Sequence, residues 1–210
     1  MKLLRTSLLA LALAPAALVA APAQAAAPAF DSSIISGLGA RNIGSAAMSG
    51  RISSLDAVTL PDGKLMVWVG AASGGVWKSL DGATTFTPVF DDQPVQSIGA
   101  VEIDKRNTET VWVGTGEAWT RNSVSIGNGI YKTTDGGDTW QHLGLDGSER
   151  ISDIRIDPRA SDTVFACVTG RLWSDSLERG VYRTRDGGQT WQQVLKAPNA
   201  STGCASLSMD

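Results

Sequence analysis

A segment of twelve residues that occurs three times places the strongest limit on how this chain can fold. It reads GVWKSLDGATTF at 75–86, GIYKTTDGGDTW at 129–140 and GVYRTRDGGQTW at 180–191. In each copy an apolar and aromatic run leads into an Asp-Gly pair and a second short run follows, which predicts a β-hairpin whose glycines adopt positive φ in the turn. We expect Asp81, Asp135 and Asp186 to accept hydrogen bonds from the backbone N–H groups of their own turns. We expect the aromatic residue of each full motif, Trp140 or Trp191, to seal the base of its hairpin.

The spacing of the hairpins indicates a repeated sheet. Asp81 and Asp135 lie 54 residues apart, Asp135 and Asp186 lie 51 apart, and a second motif repeats with a similar period as VEID, IRID and LSMD. A period near fifty is typical of stacked sheets. Each unit divides into four strands. The first alternates apolar and polar residues, the second is almost wholly apolar and is expected to be buried on both faces, and the last two are the arms of the hairpin. The prediction is an all-β fold, a β-propeller of four-stranded blades, with Val101 and Ile103 facing inward and Glu102 and Asp104 facing outward.

The N-terminal residues read as a secretory signal, because a charged start precedes an apolar run and an Ala-Gln-Ala cleavage site. The run is short and is broken by Pro15, which disfavours a stable membrane span, so we predict a secreted or periplasmic protein. The predicted organisation is a signal peptide (1–25), a linker (26–37) and a partial propeller (38–210), the last comprising an orphan outer strand and loop (38–50), blade 1 (51–97), blade 2 (98–150), blade 3 (151–202) and the start of blade 4 (203–210). Because propellers usually have about four to eight blades, we expect an N-terminal piece of a longer protein whose remaining blades are missing from this sequence.

The sequence does not decide whether the two cysteines, Cys167 and Cys204, form a disulfide bond. Exported proteins can form disulfides, but two cysteines do not make a disulfide framework. In the register of the repeat, Cys204 stands where Ile98 and Ile151 stand in earlier units, and Cys167 stands where Gly114 stands. The register therefore favours two separate positions in the fold over a bridge between them.

The connections opposite the Asp-Gly turns hold the candidate ligand-binding residues. Successive antiparallel strands place alternate connections on opposite faces, and the longest of these loops, 115–128, has a counterpart of only four residues (71–74) in the first blade. Loops that exceed their structural need tend to carry function. The candidates are Glu117, Trp119, Arg121 and Asn122 in this loop, with Arg171 and Trp173 in the loop 170–179. Tryptophan beside arginine and carboxylates suits sugars and peptides alike, and the alternative is that these charges pair with each other.

The hairpins resemble Asp-box (BNR) repeats, whose pattern is Ser or Thr, any residue, Asp, any residue, Gly, any residue, Thr, Trp. Residues 133–140 and 184–191 fit this pattern, whereas 79–86 departs from it at Ala83 and Phe86. The longer runs RNIGSAAMSGRIS at 41–53 and VWVGTGEAWTRNSVSIGNGIYKTTDGG at 111–137 resemble bacterial exported proteins with a sortilin-type propeller. This resemblance implies a propeller that recognises a peptide or protein segment. Asp-boxes also occur in sialidases and xyloglucan-degrading glycosidases, so they identify a scaffold and not a chemistry.

The remaining residues exclude several chemistries. No spacing selects a glycosidase pair from the carboxylates, which are Asp91, Asp92, Glu117, Asp175 and Glu178. Both tyrosines belong to hairpins, which disfavours a sialidase, and the lone His142 is expected at the surface and offers no serine-hydrolase triad. No residue cluster has a zinc or calcium spacing, so neither metal nor cofactor is predicted, and a net charge of −3 gives no basis for nucleic-acid binding.

Two functional hypotheses therefore remain. The first is an exported module that binds a peptide, protein or glycan on the face opposite the Asp-Gly turns. The alternative is a glycoside hydrolase whose catalytic carboxylates lie partly outside this sequence, and no catalytic residue is assigned.

Overall fold

A computed structural model describes residues 51–121 and 124–210 of the chain. The predicted signal peptide, linker and orphan outer strand lie outside these residues, as does the candidate Asn122. The described residues form three antiparallel sheets of four strands each and one short 3-10 helix (Asp146–Ser148). No helix among them has the length and apolar character needed to cross a membrane.

Each sheet is a meander in which the strands follow chain order. The first sheet contains β1 (Ile52–Thr59), β2 (Leu65–Ala71), β3 (Gly75–Ser79) and β4 (Thr87–Pro88). The second contains β5 (Ile98–Ile103), β6 (Val111–Thr115), β7 (Ile130–Thr133) and β8 (Gln141–His142). The third contains β9 (Ile151–Asp157), β10 (Ala160–Val168), β11 (Gly180–Thr184) and β12 (Gln192–Lys196). The prediction of an all-β chain built from four-stranded units is confirmed.

Burial follows the apolar pattern of the strands. Every residue of β6 is buried, and so is every residue of β2 after Leu65, as expected for strands covered on both faces. Val101 and Ile103 of β5 are buried as predicted. The prediction that Asp104 faces outward is wrong, because its carboxylate turns back to accept a hydrogen bond from the Arg106 backbone N–H at 2.9 Å and is buried.

Two apolar cores join neighbouring sheets. The first is built from Met66, Trp68, Val76, Phe90, Ile98, Val101, Ile103, Val111, Val113 and Tyr131. The second is built from Ala100, Trp112, Ile130, Ile151, Ile154, Val164, Ala166 and Val168. Their members come from the first and second sheets and from the second and third sheets, so the sheets stack face to face through packed side chains.

The motif tryptophans connect one sheet to the sheet before it. The indole N–H of Trp140 donates to the Val89 carbonyl at 2.6 Å, and that of Trp191 donates to the Leu143 carbonyl at 2.8 Å. Trp140 also packs edge-on against Trp68, with ring centroids 6.2 Å apart. These contacts of the ring anchor the hairpin to the preceding sheet.

The Asp-Gly turns are held by the side chains of the motif itself. Asp135 accepts hydrogen bonds from the Thr133 hydroxyl at 2.6 Å and the Thr139 backbone N–H at 2.9 Å, and Gly137 takes a φ of 99° that a residue with a Cβ rarely adopts. The Thr133 hydroxyl is the largest of the effects that hold the pKa of Asp135 well below its usual range. Ala83 replaces this glycine in the first sheet, and it keeps the turn at a φ of 67°.

Cys167 and Cys204 form a disulfide bond, with their Cα atoms 5.2 Å apart across 37 residues of sequence. The sequence-based interpretation of two separate positions is therefore wrong. The Cys204 backbone N–H donates to the Val168 carbonyl at 3.3 Å, which brings the segment after β12 alongside the end of β10. The repeat register identifies each cysteine's position within its own unit, but it does not show that neighbouring units bring the two positions together.

Candidate functional site

The first strands of the three sheets are linked by polar side chains that reach from one sheet to the next. The Asp56 carboxylate on β1 accepts a hydrogen bond from the Ile103 backbone N–H at 2.7 Å, and Arg155 on β9 pairs with Glu102 on β5 at 3.1 Å. Asp153 on β9 accepts from the Leu207 backbone N–H at 2.9 Å. These contacts place β1, β5, β9 and the C-terminal segment side by side.

A groove of about 560 Å³ lies along these first strands. We call the lining residues from the first strands and the segments beside them the floor, and those from the loop after β6 the rim. The lining residues are Ser53, Gly99, Ala118, Trp119, Thr120, Ser152, Asp153, Thr169, Ala205 and Ser206. Gly99 permits a close approach here, because a Cβ at this position would lie 2.2 Å from the Ile151 carbonyl oxygen. We call this feature the inner-strand groove.

Trp119 lies at the rim of the inner-strand groove with 69% of its surface exposed. Its loop is held at both ends by hydrogen bonds. The Thr115 hydroxyl donates to the Gly129 carbonyl at 2.6 Å, and the Gly127 N–H donates to the Glu149 carbonyl at 2.7 Å. The exposed indole therefore projects from a fixed base.

Glu117 is not part of the exposed surface on which the sequence placed it. Its side chain is fully buried and forms an ion pair with Arg51, the residue before β1. Burial, and then the nearby positive charge of Arg121, lower the pKa of Arg51. Glu117, Trp119 and Arg121 therefore do not form one exposed trio: Glu117 holds the loop to the first sheet, and Trp119 and Arg121 remain at the surface.

The second pair of candidates lies apart from the groove lining. Trp173 is 71% exposed, and Arg171 pairs with Glu149 at 3.3 Å. Neither residue lines the inner-strand groove. The structure therefore brings Trp119 to the groove and leaves Trp173 as a separate exposed ring on the next sheet.

Asp153 and Glu102 are groove-side residues that sequence reasoning did not select. Asp153 lines the groove, and Glu102 lies beside it, since one nitrogen of Arg155, Nη1, is 3.1 Å from both carboxylates. Burial, followed by the negative charge of Asp56, raises the pKa of Glu102 to about 7. The sequence signal for these two residues was the polar side chain at alternate positions of each first strand. The sequence analysis interpreted these side chains only as facing outward.

Two further carboxylates near these loops, Glu178 and Glu149, are occupied by protein contacts. The Ser176 hydroxyl, 2.7 Å from Glu178, is the main reason that the pKa of Glu178 is lowered. Glu149 pairs with Arg150, which is almost fully buried, at 2.9 Å. Among residues 51–121 and 124–210, no three His, Cys, Asp or Glu side chains are grouped to hold a metal ion.

Comparison with known proteins supports the fold. No protein-family model matches the chain. Over 81 residues, 37% of the chain, it is 35% identical to a probable oligoxyloglucan-reducing end-specific xyloglucanase of Neosartorya fischeri, of which it covers 9%. An ancestral GH74 enzyme of known structure is similar over 80% of the chain and 21% of that enzyme, with a TM-score of 0.60 and 20% identity. A GH74 xyloglucanase from Xanthomonas campestris is similar over 72% of the chain and 21% of its own length, with a TM-score of 0.48 and 17% identity.

The three sheets and the similarity to the ancestral GH74 enzyme define the chain as a partial β-propeller. The predicted fold class is thereby confirmed. The chain spans about a fifth of each of the two similar structures.

Proposed function

We propose that the chain belongs to an exported Asp-box propeller of the sortilin type, which binds a peptide, protein or glycan in the inner-strand groove. The observation that carries this proposal is Trp119, an indole 69% exposed on an anchored loop at the edge of a groove of about 560 Å³. Tryptophan offers a large flat surface and loses little conformational entropy on binding, which is why it is enriched in binding hot spots. A groove of this volume lies in the range of small-ligand sites.

The carboxylates support binding over catalysis. Glu117 is buried in its pair with Arg51, and Glu178 is held ionised by the Ser176 hydroxyl. Asp153 has one oxygen bonded to the Leu207 N–H and the other paired with Arg155. Each of these groups is already used by the fold, so none of the three stands free to transfer a proton to a substrate.

A glycoside hydrolase is the second candidate, and the match of 81 residues to a probable xyloglucanase favours it. Glu102 adds a local reason, because a carboxyl group with a pKa of about 7 has the property that a general acid needs. Glu102 and Asp153 both lie 3.1 Å from Nη1 of Arg155, so their nearest oxygens are no more than twice that distance apart. In this candidate function, further catalytic groups lie outside the described residues.

The test is ligand capture by the immobilised full-length protein. The probes are neutral oligosaccharides, including xyloglucan fragments, and unstructured peptides. Trp119→Ala is expected to lose at least about tenfold in affinity at an unchanged melting temperature, because the ring is exposed. Trp173→Ala is the matched control, since its ring is equally exposed but does not line the groove, and its capture should equal that of the wild type.

Two results would decide against the proposal. Equal capture by Trp119→Ala and the wild type would show that the ligand does not bind in the groove. Turnover of a glycan that Glu102→Gln abolishes would establish the hydrolase in place of the binding module.

A further inference from the structure

The hydroxyl groups on the floor of the inner-strand groove indicate the chemistry of its ligand, because their protons are already used. The Ser53 hydroxyl lies 2.6 Å from the Ile98 carbonyl oxygen, to which it donates. The Thr169 hydroxyl donates to the Cys204 carbonyl at 3.0 Å. A hydroxyl has one proton and two lone pairs, so each of these groups has only lone pairs left for a ligand.

The other two floor hydroxyls behave in the same way. The Ser152 hydroxyl lies 3.2 Å from the Cys204 carbonyl and 3.3 Å from the Cys167 carbonyl, and each can take its proton. The Ser206 hydroxyl donates to the Asp153 carboxylate at 3.2 Å. All four hydroxyls on the floor are therefore hydrogen-bond acceptors towards the groove.

The charge of the lining agrees with this polarity. Among the lining residues that the structure describes, Asp153 has the one charged side chain, and an ionised carboxylate only accepts hydrogen bonds. Within 51–121 and 124–210, the side-chain donors that remain in the lining are the Thr120 hydroxyl and the Trp119 indole N–H, and both come from the rim. The described side chains of the floor thus present acceptors, while those of the rim present two donors and a flat ring.

A ligand that fits this floor must bring hydrogen-bond donors. On the floor, a carboxylate would meet the lone pairs of the hydroxyls and the carboxylate of Asp153, whose partner Arg155 does not line the groove. The two rim donors could replace only part of the hydration that it would lose. A peptide backbone brings one carbonyl acceptor for every N–H donor. Its carbonyl groups would therefore face other acceptors on the floor and would lack a hydrogen-bond donor. A sugar ring carries several hydroxyl donors around a face that can stack on an indole.

We propose that the inner-strand groove selects an uncharged sugar ring, whose hydroxyls donate to the floor while one face stacks on Trp119, and that it rejects the corresponding uronic acid. This inference rests on the proposed binding function and adds the class of ligand. The contact with Trp119 alone would be the same for both sugars, so the acceptor-lined floor is the element that discriminates.

The test uses two probes with the same sugar rings, one with charged carboxylates and one with uncharged methyl esters. Tetragalacturonate and its fully methyl-esterified form are titrated into the full-length protein at physiological ionic strength. The ester is expected to bind at least tenfold more tightly than the acid, and Trp119→Ala should weaken its binding. Equal or tighter binding of the acid would overturn the inference, and so would binding of the ester that does not depend on Trp119.

A pair of substitutions separates the groove from the overall charge of the protein. Ala205→Arg adds a donor to the lining and should bring the affinity for the acid to within about threefold of that for the ester. Ala160→Arg adds the same charge at the exposed start of β10, away from the lining, and should leave the ratio unchanged. An equal effect of both substitutions would assign the selectivity to net charge and overturn the inference.

The outcomes also distinguish the inference from the proposed function. Capture of peptides that depends on Trp119, with no binding of either saccharide, would support the groove as a binding site. It would refute the inference that the ligand is a sugar. Failure of all peptides and saccharides to bind would overturn both.

Discussion

Ionisation of Glu102 should make the stability of the protein fall as the pH rises from 4.5 to about 7. Burial, the negative charge of Asp56 and, more weakly, that of Asp153 raise the pKa of Glu102 from 4.5 to about 7, and Arg155 and Lys105 offset only part of this effect. Below pH 4.5 the group is protonated in both the folded and the unfolded chain, so its contribution to stability is fully present. As the pH rises towards 7, the unfolded chain ionises first, and the contribution is lost.

The size of the effect follows from the shift. One pKa unit corresponds to about 1.4 kcal/mol, so a shift from 4.5 to about 7 gives at most about 3 to 4 kcal/mol of lost stability above pH 7. Glu102→Gln stays neutral at every pH and its amide oxygen can accept the same bond from Arg155. The variant should therefore equal the wild type near pH 4.5 and exceed it in unfolding free energy above pH 7.

Urea denaturation of the full-length protein at half-unit intervals from pH 4.5 to 8 measures this difference. Glu109→Gln serves as the control, because Glu109 is exposed in the turn that follows β5, and its curve should run parallel to that of the wild type. Parallel curves for Glu102→Gln and the wild type across the whole range would contradict this prediction, since they would show that Glu102 ionises alike in the folded and unfolded chains.

Three further predictions concern the framework. Asp135→Ala should lower the melting temperature because it removes the acceptor for the Thr139 N–H. Asp138 is an exposed neighbour in the same turn, and Asp138→Ala should leave the melting temperature unchanged. An equal effect of both substitutions would contradict the turn contacts. Ala83→Gly should stabilise the protein by up to about 1 kcal/mol in thermal unfolding, since Ala83 has a φ of 67°, and a loss of stability would show that the alanine is not strained. Replacing Cys167 and Cys204 together by serine should cost about 3 to 4 kcal/mol for a bridge across 37 residues, and mass spectrometry of the unreduced wild type should find no free thiol; a free thiol would contradict the bridge.

The repeat pattern was sufficient to predict the sheets because it is local. The Asp-Gly motif defines each hairpin, and the apolar runs of β2 and β6 identify strands that are covered on both faces. These features depend on the order of neighbouring residues, which the sequence shows directly. The all-β class and the number of strands in each unit follow from them.

The features that the sequence did not predict depend on contacts between units. Glu117 lies in a loop of polar residues, and only the approach of Arg51, 66 positions earlier in the chain, turns it into a buried ion pair. The disulfide likewise joins β10 to the segment after the third sheet. Asp153 lies on the groove because the first strands of neighbouring sheets stand side by side. A repeat register compares equivalent positions, and it contains no information about which non-equivalent positions meet.

Hydrogen exchange on the full-length protein, with and without a bound oligosaccharide, tests the central claim that ligand binds in the inner-strand groove. Slower exchange is expected in the rim loop at 116–121 and in the segment at 203–206 when ligand is present, because both line the groove or lie directly beside its lining. No change is expected in the Asp-Gly turns at 135–138 and 186–189. Slower exchange in those turns, with residues 116–121 and 203–206 unaffected, would contradict the claim and place the ligand on the opposite face.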